Sequence, residues 1–486
     1  MIISALRKSQ VFESCIFAGY FLLQQLMNKD SRNAVGKIVP QIYEETQQGK
    51  ALEEFHIAII SDELTYINFS KECHLHKLTP NNWKTVFNTQ KIDLFLCESA
   101  WEGCKENHQC WRGRIYKNHR VLFETRKTLF RILKYCEQSG IPTVFWNKED
   151  PTYFGSKSQD FVDTALHFQY IFTTAEECVE MYRQSHSYVG AMMFGFSPQI
   201  YNPRNVGEKQ QRAVFAGSWF EEHAERCKAE SALFDKVIAA GIPLTIYDRQ
   251  SESGNKKRAF PESYQRYVHA AVSQDKLGKE IKKCRYAINI NTVTDSDSMF
   301  ARRVYELMAS NVYILTNRSK AMELQLKGRY SNLEDEFPEN VEQVCRNNVD
   351  YVFQNHTNRH RLIKMMLEIG LQVQIPAITI AVCGLDSMWS LNCDSNIHVE
   401  FVSKLEDIDE CFQYFVIWDQ IEPPPLERML AHAFYINAEE TCGIRISNRY
   451  LYQITEDSEN KNVLFPICML EMLQKDVNTK TKKYHV

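Results

Sequence analysis

Hydrophobic positions in this chain change their period several times, and those changes divide it. Over residues 1–50 apolar side chains recur three and four apart, which predicts helices. From residue 51 the pattern becomes short apolar runs alternating with helical periods. "FHIAIIS" (55–61), "IDLFLCES" (92–99), "IPTVFWN" (141–147) and "YIFTT" (170–174) predict buried strands. "HRVLFETRKTLFRILKYCEQSG" (119–140) predicts an amphipathic helix closed by Gly140, and "AEECVEMYRQ" follows the fourth run as another helix. Strands alternating with helices predict parallel βαβ units.

The polar stretch "FSPQIYNPRNVGEKQQ" (196–211) carries two prolines and reads as a linker. A second series follows it. "RAVFAGS" (212–218), "IPLTIYD" (242–248) and "RYAININ" (285–291) predict strands, with helices over 221–241 and 275–284. "SMFARRVYELMASNVYILTN" predicts a helix over 298–310 feeding a strand over 312–317. From about residue 372 the pattern restarts. "IPAITIAVC", "HVEFVS" and "QYFVIWD" look like strands, and "LERMLAHAFYINAEETCGI" contains a helix.

The expected organisation is therefore α/β. It comprises an N-terminal helical segment (1–50), a first Rossmann-like domain (51–205), a second (206–371) and a smaller α/β module (372–486). Ligands of such open sheets bind at the carboxyl ends of the strands, so a cleft between the two domains is the expected site.

Composition narrows the function classes. At 44% hydrophobic and 24% charged residues the chain is an ordinary globular sequence with substantial cores. A formal net charge of −4 gives no electrostatic support for nucleic-acid binding. The 15 cysteines are scattered, odd in number and include no CxxC pair, so reduced thiols and a cytoplasmic location are expected. "VFESCIFAGYFLL" is interrupted by Glu13 and is too short to span a bilayer, so no transmembrane segment is expected. Cys73, His74 and His76, and His108 with Cys110, lack zinc-site spacing, and no metal is expected. "DSD" (295–297) reads as a helix N-cap.

Four stretches carry candidate chemistry. Gly217 and Ser218 sit where a strand turns into a helix, which suits a phosphate and equally an ordinary tight turn. Arg302 and Arg303 offer planar forks of donors for a diphosphate, and they project about 100° apart on a helix. Glu306 would accept from both hydroxyls of a ribose; an exposed Arg–Glu helix pair explains the same residues. Asn147, Lys148, Glu149 and Asp150 cluster at a strand's carboxyl end. Lys148 would reach a donor phosphate, and Glu149 or Asp150 would act as general base; Asp150-Pro151 also suits a turn. In "CESAWEGCKENHQCWRG" (97–113), Glu98 is an alternative base. Trp101 and Trp111 would stack on a sugar acceptor, or fix the loop to the core.

The segment Ser298 to Asn317 resembles the "FARRxFELLACGxxVxxN" stretch of the glycosyltransferases related to the spore-maturation protein CgeB. "FWNKEDPTYF" (145–154), "YIFTTAEECVEMYR" with "FGFSPQIYNP" (170–203), and "AVFAGSWFEEHAER" (213–226) resemble the same family in the same order. The resemblance implies a GT-B architecture of two Rossmann-like domains and transfer of a sugar from a nucleoside diphosphate to an acceptor hydroxyl. The second domain would hold the donor, with Gly217 and Ser218 near the diphosphate, Arg302 or Arg303 neutralising it and Glu306 on the ribose. Asn147 and Lys148 would complete the donor side.

It also implies no cofactor beyond the nucleotide sugar. The acceptor would be a bacterial surface polysaccharide, a teichoic-acid-like polymer or a protein, handled at the inner face of the membrane beside an envelope-synthesis complex. Two departures stand out. Asn311 replaces the family's glycine, and Ser298 stands where many retaining enzymes of this architecture carry a second glutamate. The C-terminal module faintly resembles a truncated GT-A-like domain: only Asp419 and Glu422 stand where an Asp-x-Asp would, and Asp407 and Asp409 lie before the strand "QYFVIWD". That incompleteness and Ser298 also suit a non-catalytic assembly subunit derived from a decayed transferase. An epimerase-type enzyme of the same build is a third reading.

Overall fold

The computed structural model describes residues 49–375, apart from 105–107, 204–207, 252–253 and 339–340, and then shorter segments between 377 and 485. The predicted helices of the N-terminal segment lie outside the described residues, as do Asp407, Asp409, Asp419 and Glu422 of the C-terminal module.

The first series builds a six-stranded sheet from β1 (His56–Ile60), β2 (His74–Lys77), β3 (Leu94–Glu98), β4 (Thr143–Asn147), β5 (Tyr170–Thr173) and β6 (Val189–Ala191). All neighbours are parallel, in the order β2-β1-β3-β4-β5-β6. The second series builds another from β7 (Gln210–Gly217), β8 (Leu244–Asp248), β9 (Val268–Ala270), β10 (Cys284–Asn289), β11 (Tyr313–Thr316) and β12 (Ser331–Asn332). Its order is β9-β8-β7-β10-β11-β12, again parallel throughout. Strands apolar on both faces need helices on both faces, and this produces two Rossmann-like units of an α/β fold.

Strand order reverses between β1 and β3 in the first sheet and between β7 and β10 in the second. Loops leaving those strands in opposite directions open a crevice at each reversal. Asp62 and Glu98 stand at the first crevice, and Ser218 and Asn291 at the second.

Two helices differ from the pattern's forecast. α1 (Lys127–Ser139) starts eight residues later than predicted. Glu124 turns the chain there by accepting from the Arg126 backbone N–H at 2.8 Å and its Nε at 2.9 Å. Buried Arg126 is further bound to Asp163 at 2.6 Å and Thr164 at 2.7 Å. Similarly, α2 (Arg303–Ala309) starts at 303, not 298. Residues 292–302 instead form a loop in which Ser296 Oγ accepts from the N–H groups of Ser298 and Met299, so the "DSD" caps this turn and not the helix.

α3 (Val341–Asn355) stays on the second unit, but α4 (Asn358–Glu368) crosses back. Leu362, Met365 and Met366 of α4 are buried in the core that covers one face of the first sheet. Val373 then pairs with Lys50 as a short parallel bridge. A third, mixed sheet follows: β13 (Ile378–Gly384), β14 (Ile397–Val402), β15 (Tyr414–Trp418), β16 (Cys442–Arg445), β17 (Ile454–Glu456), β18 (Val463–Pro466) and β19 (Lys482–His485). Its order is β14-β13-β15-β18-β16-β19-β17. Ile380, Val382 and Val416 share a core with Val349 and Val352 of α3, which attaches this module to the second unit. Among the described residues, no helix is long and apolar enough to cross a membrane.

Candidate active site

On the second unit, four guanidinium groups gather around the end of β7. Ser218 organises two of them. Its carbonyl accepts from Arg226 Nη1 at 3.0 Å, and its Oγ from Arg249 Nε at 3.3 Å. Arg302 and Arg303 enter from the start of α2. Arg249 is lowered to about 10, first by desolvation and then by Arg303, Arg302 and Arg226. Arg303 is likewise lowered by desolvation, against the pull of Glu306. Mutual depression of arginines means that cations crowd a site short of anions.

The carboxylates nearby are Glu230, Glu306 and Asp248. Glu230 pairs with Arg226 at 2.7 Å and is raised to about 7 by burial. Buried Glu306 faces Arg302 Nε at 3.2 Å and lies beside Tyr201. With all three ionised, four guanidiniums still leave a positive excess. An anion with several oxygens fits this arrangement, and two arginine forks suit a diphosphate.

Gly217 has a different reason from the one expected. A Cβ there would lie 2.4 Å from Cζ of Phe215, so the glycine makes room for that ring, not for a phosphate. Asn311 does adopt the left-handed conformation, with φ of 56°, and closes α2 with a Val312 N–H to Leu307 carbonyl bond of 3.3 Å.

On the first unit, the "NKED" cluster separates into two parts. Asn147 and Asp150 are buried. Asn147 Nδ2 donates to Asp150 and to the Tyr182 hydroxyl, each at 2.9 Å. Asp150 also accepts from Thr173 at 2.7 Å and Tyr182 at 3.1 Å. Burial raises Asp150 to about 7, and its oxygens already face three donors of the core. Lys148 pairs with Glu98 at 2.6 Å and donates to Thr65 at 2.9 Å, so its charge is matched inside the first unit. Glu98 is itself buried, accepting also from the Asp62 N–H at 2.6 Å. Asn147, Asp150 and Glu98 brace the strand ends from buried positions, and Lys148, partly exposed, is paired among them.

Glu149 differs from them. It is half-buried beside Trp101, and desolvation raises its pKa. Trp101 packs edge-on to Tyr153 and Phe161 at centroid distances of 5.0 and 5.3 Å. The loop carrying it hangs on Asp62, whose carboxylate accepts from the N–H groups of Trp101, Glu102 and Gly103. Trp111 is the opposite case: it is buried, and its indole donates to the Leu78 carbonyl at 2.7 Å, so it anchors the loop and offers no face to a sugar.

Ser298 joins the units. Its Oγ accepts from the Glu176 N–H at 2.7 Å and donates to the Thr174 carbonyl at 3.1 Å. It also lines a cavity of about 570 Å³ between the units, along with Met192, Tyr305, His356 and Lys364. Arg361 donates to His356 Nδ1 at 2.6 Å, which puts the imidazole hydrogen on Nε2, a buried atom with no partner.

Arg226, Arg249, Asp62, Tyr201 and His356 were not selected from sequence. Arg226 lies inside the "AVFAGSWFEEHAER" segment, and Arg249 and Asp62 each directly follow a strand. Position at a strand's carboxyl end was the available signal for these two. Among the described residues, no group of three or more histidine, cysteine, aspartate or glutamate side chains is arranged to hold a metal ion. Buried Cys73 lies against the Phe69 carbonyl, and His76 bonds His56.

No family model matches the sequence, and no curated protein matches it significantly. Solved structures do resemble the fold. HepE from Anabaena, in complex with UDP-glucose, is 11% identical; the match covers 65% of this chain and all of that one, with a TM-score of 0.42. Sucrose-phosphate synthase from Thermosynechococcus elongatus is 10% identical over 65% of this chain and 99% of that one, with a TM-score of 0.41. WaaG, a glycosyltransferase of lipopolysaccharide biosynthesis, is 8% identical over 65% of this chain and all of that one, with a TM-score of 0.38. Likeness of this degree carries no argument about what this chain binds.

Proposed function

We propose that this chain is a glycosyltransferase that moves a sugar from a nucleoside diphosphate to an acceptor hydroxyl. One observation supports the reading most: Arg226, Arg249, Arg302 and Arg303 converge beside the strand-order reversal of the second sheet with positive charge in excess. That charge would be worth most as the sugar–oxygen bond breaks and the electron pair moves onto the diphosphate. The four segments resembling the CgeB-related glycosyltransferases support the same reading and the same family.

Glu149 is the base in this scheme. It would take the proton of the acceptor hydroxyl as that oxygen bonds to the sugar's anomeric carbon. Burial raises its pKa, which makes it a stronger proton acceptor than a free carboxylate. Trp101 stands beside Glu149 and flanks the acceptor. Glu306, beside Tyr201 and Arg302, is the ribose partner. An envelope polysaccharide, a teichoic-acid-like polymer or a protein is the acceptor class we favour, handled on the cytoplasmic side.

The test is calorimetric titration of the Arg302→Ala/Arg303→Ala pair and of Glu306→Ala with UDP, GDP and CDP. Each lost charge-assisted contact should weaken binding about tenfold or more. Unchanged affinity in both variants would reject this donor site.

A further inference from the structure

Residues 108–134 contain eight lysines and arginines and one acidic residue, Glu124, in a chain whose net charge is −4. Lys117 and Arg126 are paired with Glu124. Arg114, Arg120, Lys127, Arg131 and Lys134 are exposed. The last three recur at intervals of four and three, and so share one face of α1.

Leu122 and Phe123 stand in the turn that precedes α1. Leu122 is 106% exposed and Phe123 70%, the two highest values among the exposed large apolar side chains. Sequence periodicity assigned both to a helix, where burial would have explained them. In the folded chain they project into water from a loop pinned by Glu124, Arg126 and the His119–Asp160 contact of 2.8 Å. Adjacent apolar side chains held outward, among cations that form no ion pair with the described residues, suit a surface that is apolar inside and anionic outside.

We propose that this face docks on an anionic lipid bilayer, with Leu122 and Phe123 entering the acyl boundary and the exposed cations meeting the headgroups. A flat protein partner would bury two protruding side chains poorly, whereas a bilayer yields around them. One consequence rests on the transferase reading. The loop belongs to the connection leaving β3, as does Trp101, and Tyr116 packs near Trp101 at 5.9 Å. Docking there would bring a membrane-borne acceptor to the Glu149 side of the cleft.

The experiment is sedimentation of the full chain with vesicles of phosphatidylcholine alone and with one-third phosphatidylglycerol. The expected result is binding to the anionic vesicles, little to neutral ones, and weakening at high salt. Leu122→Ser/Phe123→Ser should lose about tenfold or more in partitioning, because two buried apolar side chains are removed. Arg120→Glu/Lys127→Glu/Arg131→Glu should lose at least as much.

Both variants change exposed positions, so their thermal midpoints and nucleotide affinities should match those of the unaltered chain. No sedimentation with anionic vesicles, or equal sedimentation of the serine pair, would overturn the proposal. So would retention of a duplex oligonucleotide with no vesicle binding, which would make the face a nucleic-acid surface. Failure of the nucleotide titrations leaves the vesicle result standing, so the two readings fail separately.

Discussion

At the scale of single residues, burial decides which of the candidate carboxyls can react. Glu98, Glu149 and Asp150 lie close in sequence space to the same loops, yet only Glu149 keeps a partly open side chain. Glu149→Gln should lower kcat about a hundredfold or more while leaving diphosphate affinity within a factor of two, since base assistance acts on the transferred proton alone. A steady-state assay beside a titration separates the two. Asp150 should be felt in stability instead. Its folded pKa of about 7 lies above the unfolded value, so its contribution is fully present below pH about 4 and lost as pH rises to about 7. Asp150→Asn should flatten that part of the pH profile of unfolding, by a few kcal/mol at most. A profile unchanged by the substitution would contradict the buried, protonated state. The residue types at strand ends were legible from sequence. Their pairing was not, because Lys148 meets Glu98 across 50 positions and Asp150 meets Tyr182 across 32.

Elements were legible wherever one period ran unbroken. Four parallel strands of each series follow from short β-rich apolar runs, and the Gly140 and Asn311 helix ends follow from their left-handed conformations. The short strands β2, β6, β9 and β12 had no such run and were missed. The starts of α1 and α2 were not legible, because side-chain contacts that periodicity does not show set them. Arg126 starts α1 by binding Asp163 and Thr164, and Ser296 delays α2. Two substitutions test this scale. Gly217→Ala should destabilise by about 1–3 kcal/mol through the Phe215 ring, measured by denaturant unfolding. Ser298→Ala should cost about 1 kcal/mol by removing the bonds of its hydroxyl with the Glu176 N–H and the Thr174 carbonyl. No change in either would mean that the β7 turn or the contact between units has been misread.

Over the whole molecule, two similar sheets face each other because the chain crosses between them twice, through the 196–211 stretch and again through α4. The stretch read as a polar linker instead buries Phe196, Ile200 and Tyr201 in a core cluster, and its last residues, Gln210 and Gln211, open β7. The return of α4 was not legible, since its amphipathic pattern states that a face is buried and not against which sheet. The third sheet was expected, and its attachment through α3 was not, for the same reason. This architecture places the arginine cluster and the partly buried Glu149 carboxylate on separate units.

The central claim is that the cationic pocket takes a nucleoside diphosphate, and titration calorimetry of UDP, GDP and CDP against the matching monophosphates tests it most directly. One diphosphate should bind at micromolar concentration, its monophosphate about tenfold or more weaker, and Arg249→Ala/Arg302→Ala/Arg303→Ala should abolish the difference. Equal affinity for mono- and diphosphate, or none for any nucleotide, would contradict the account.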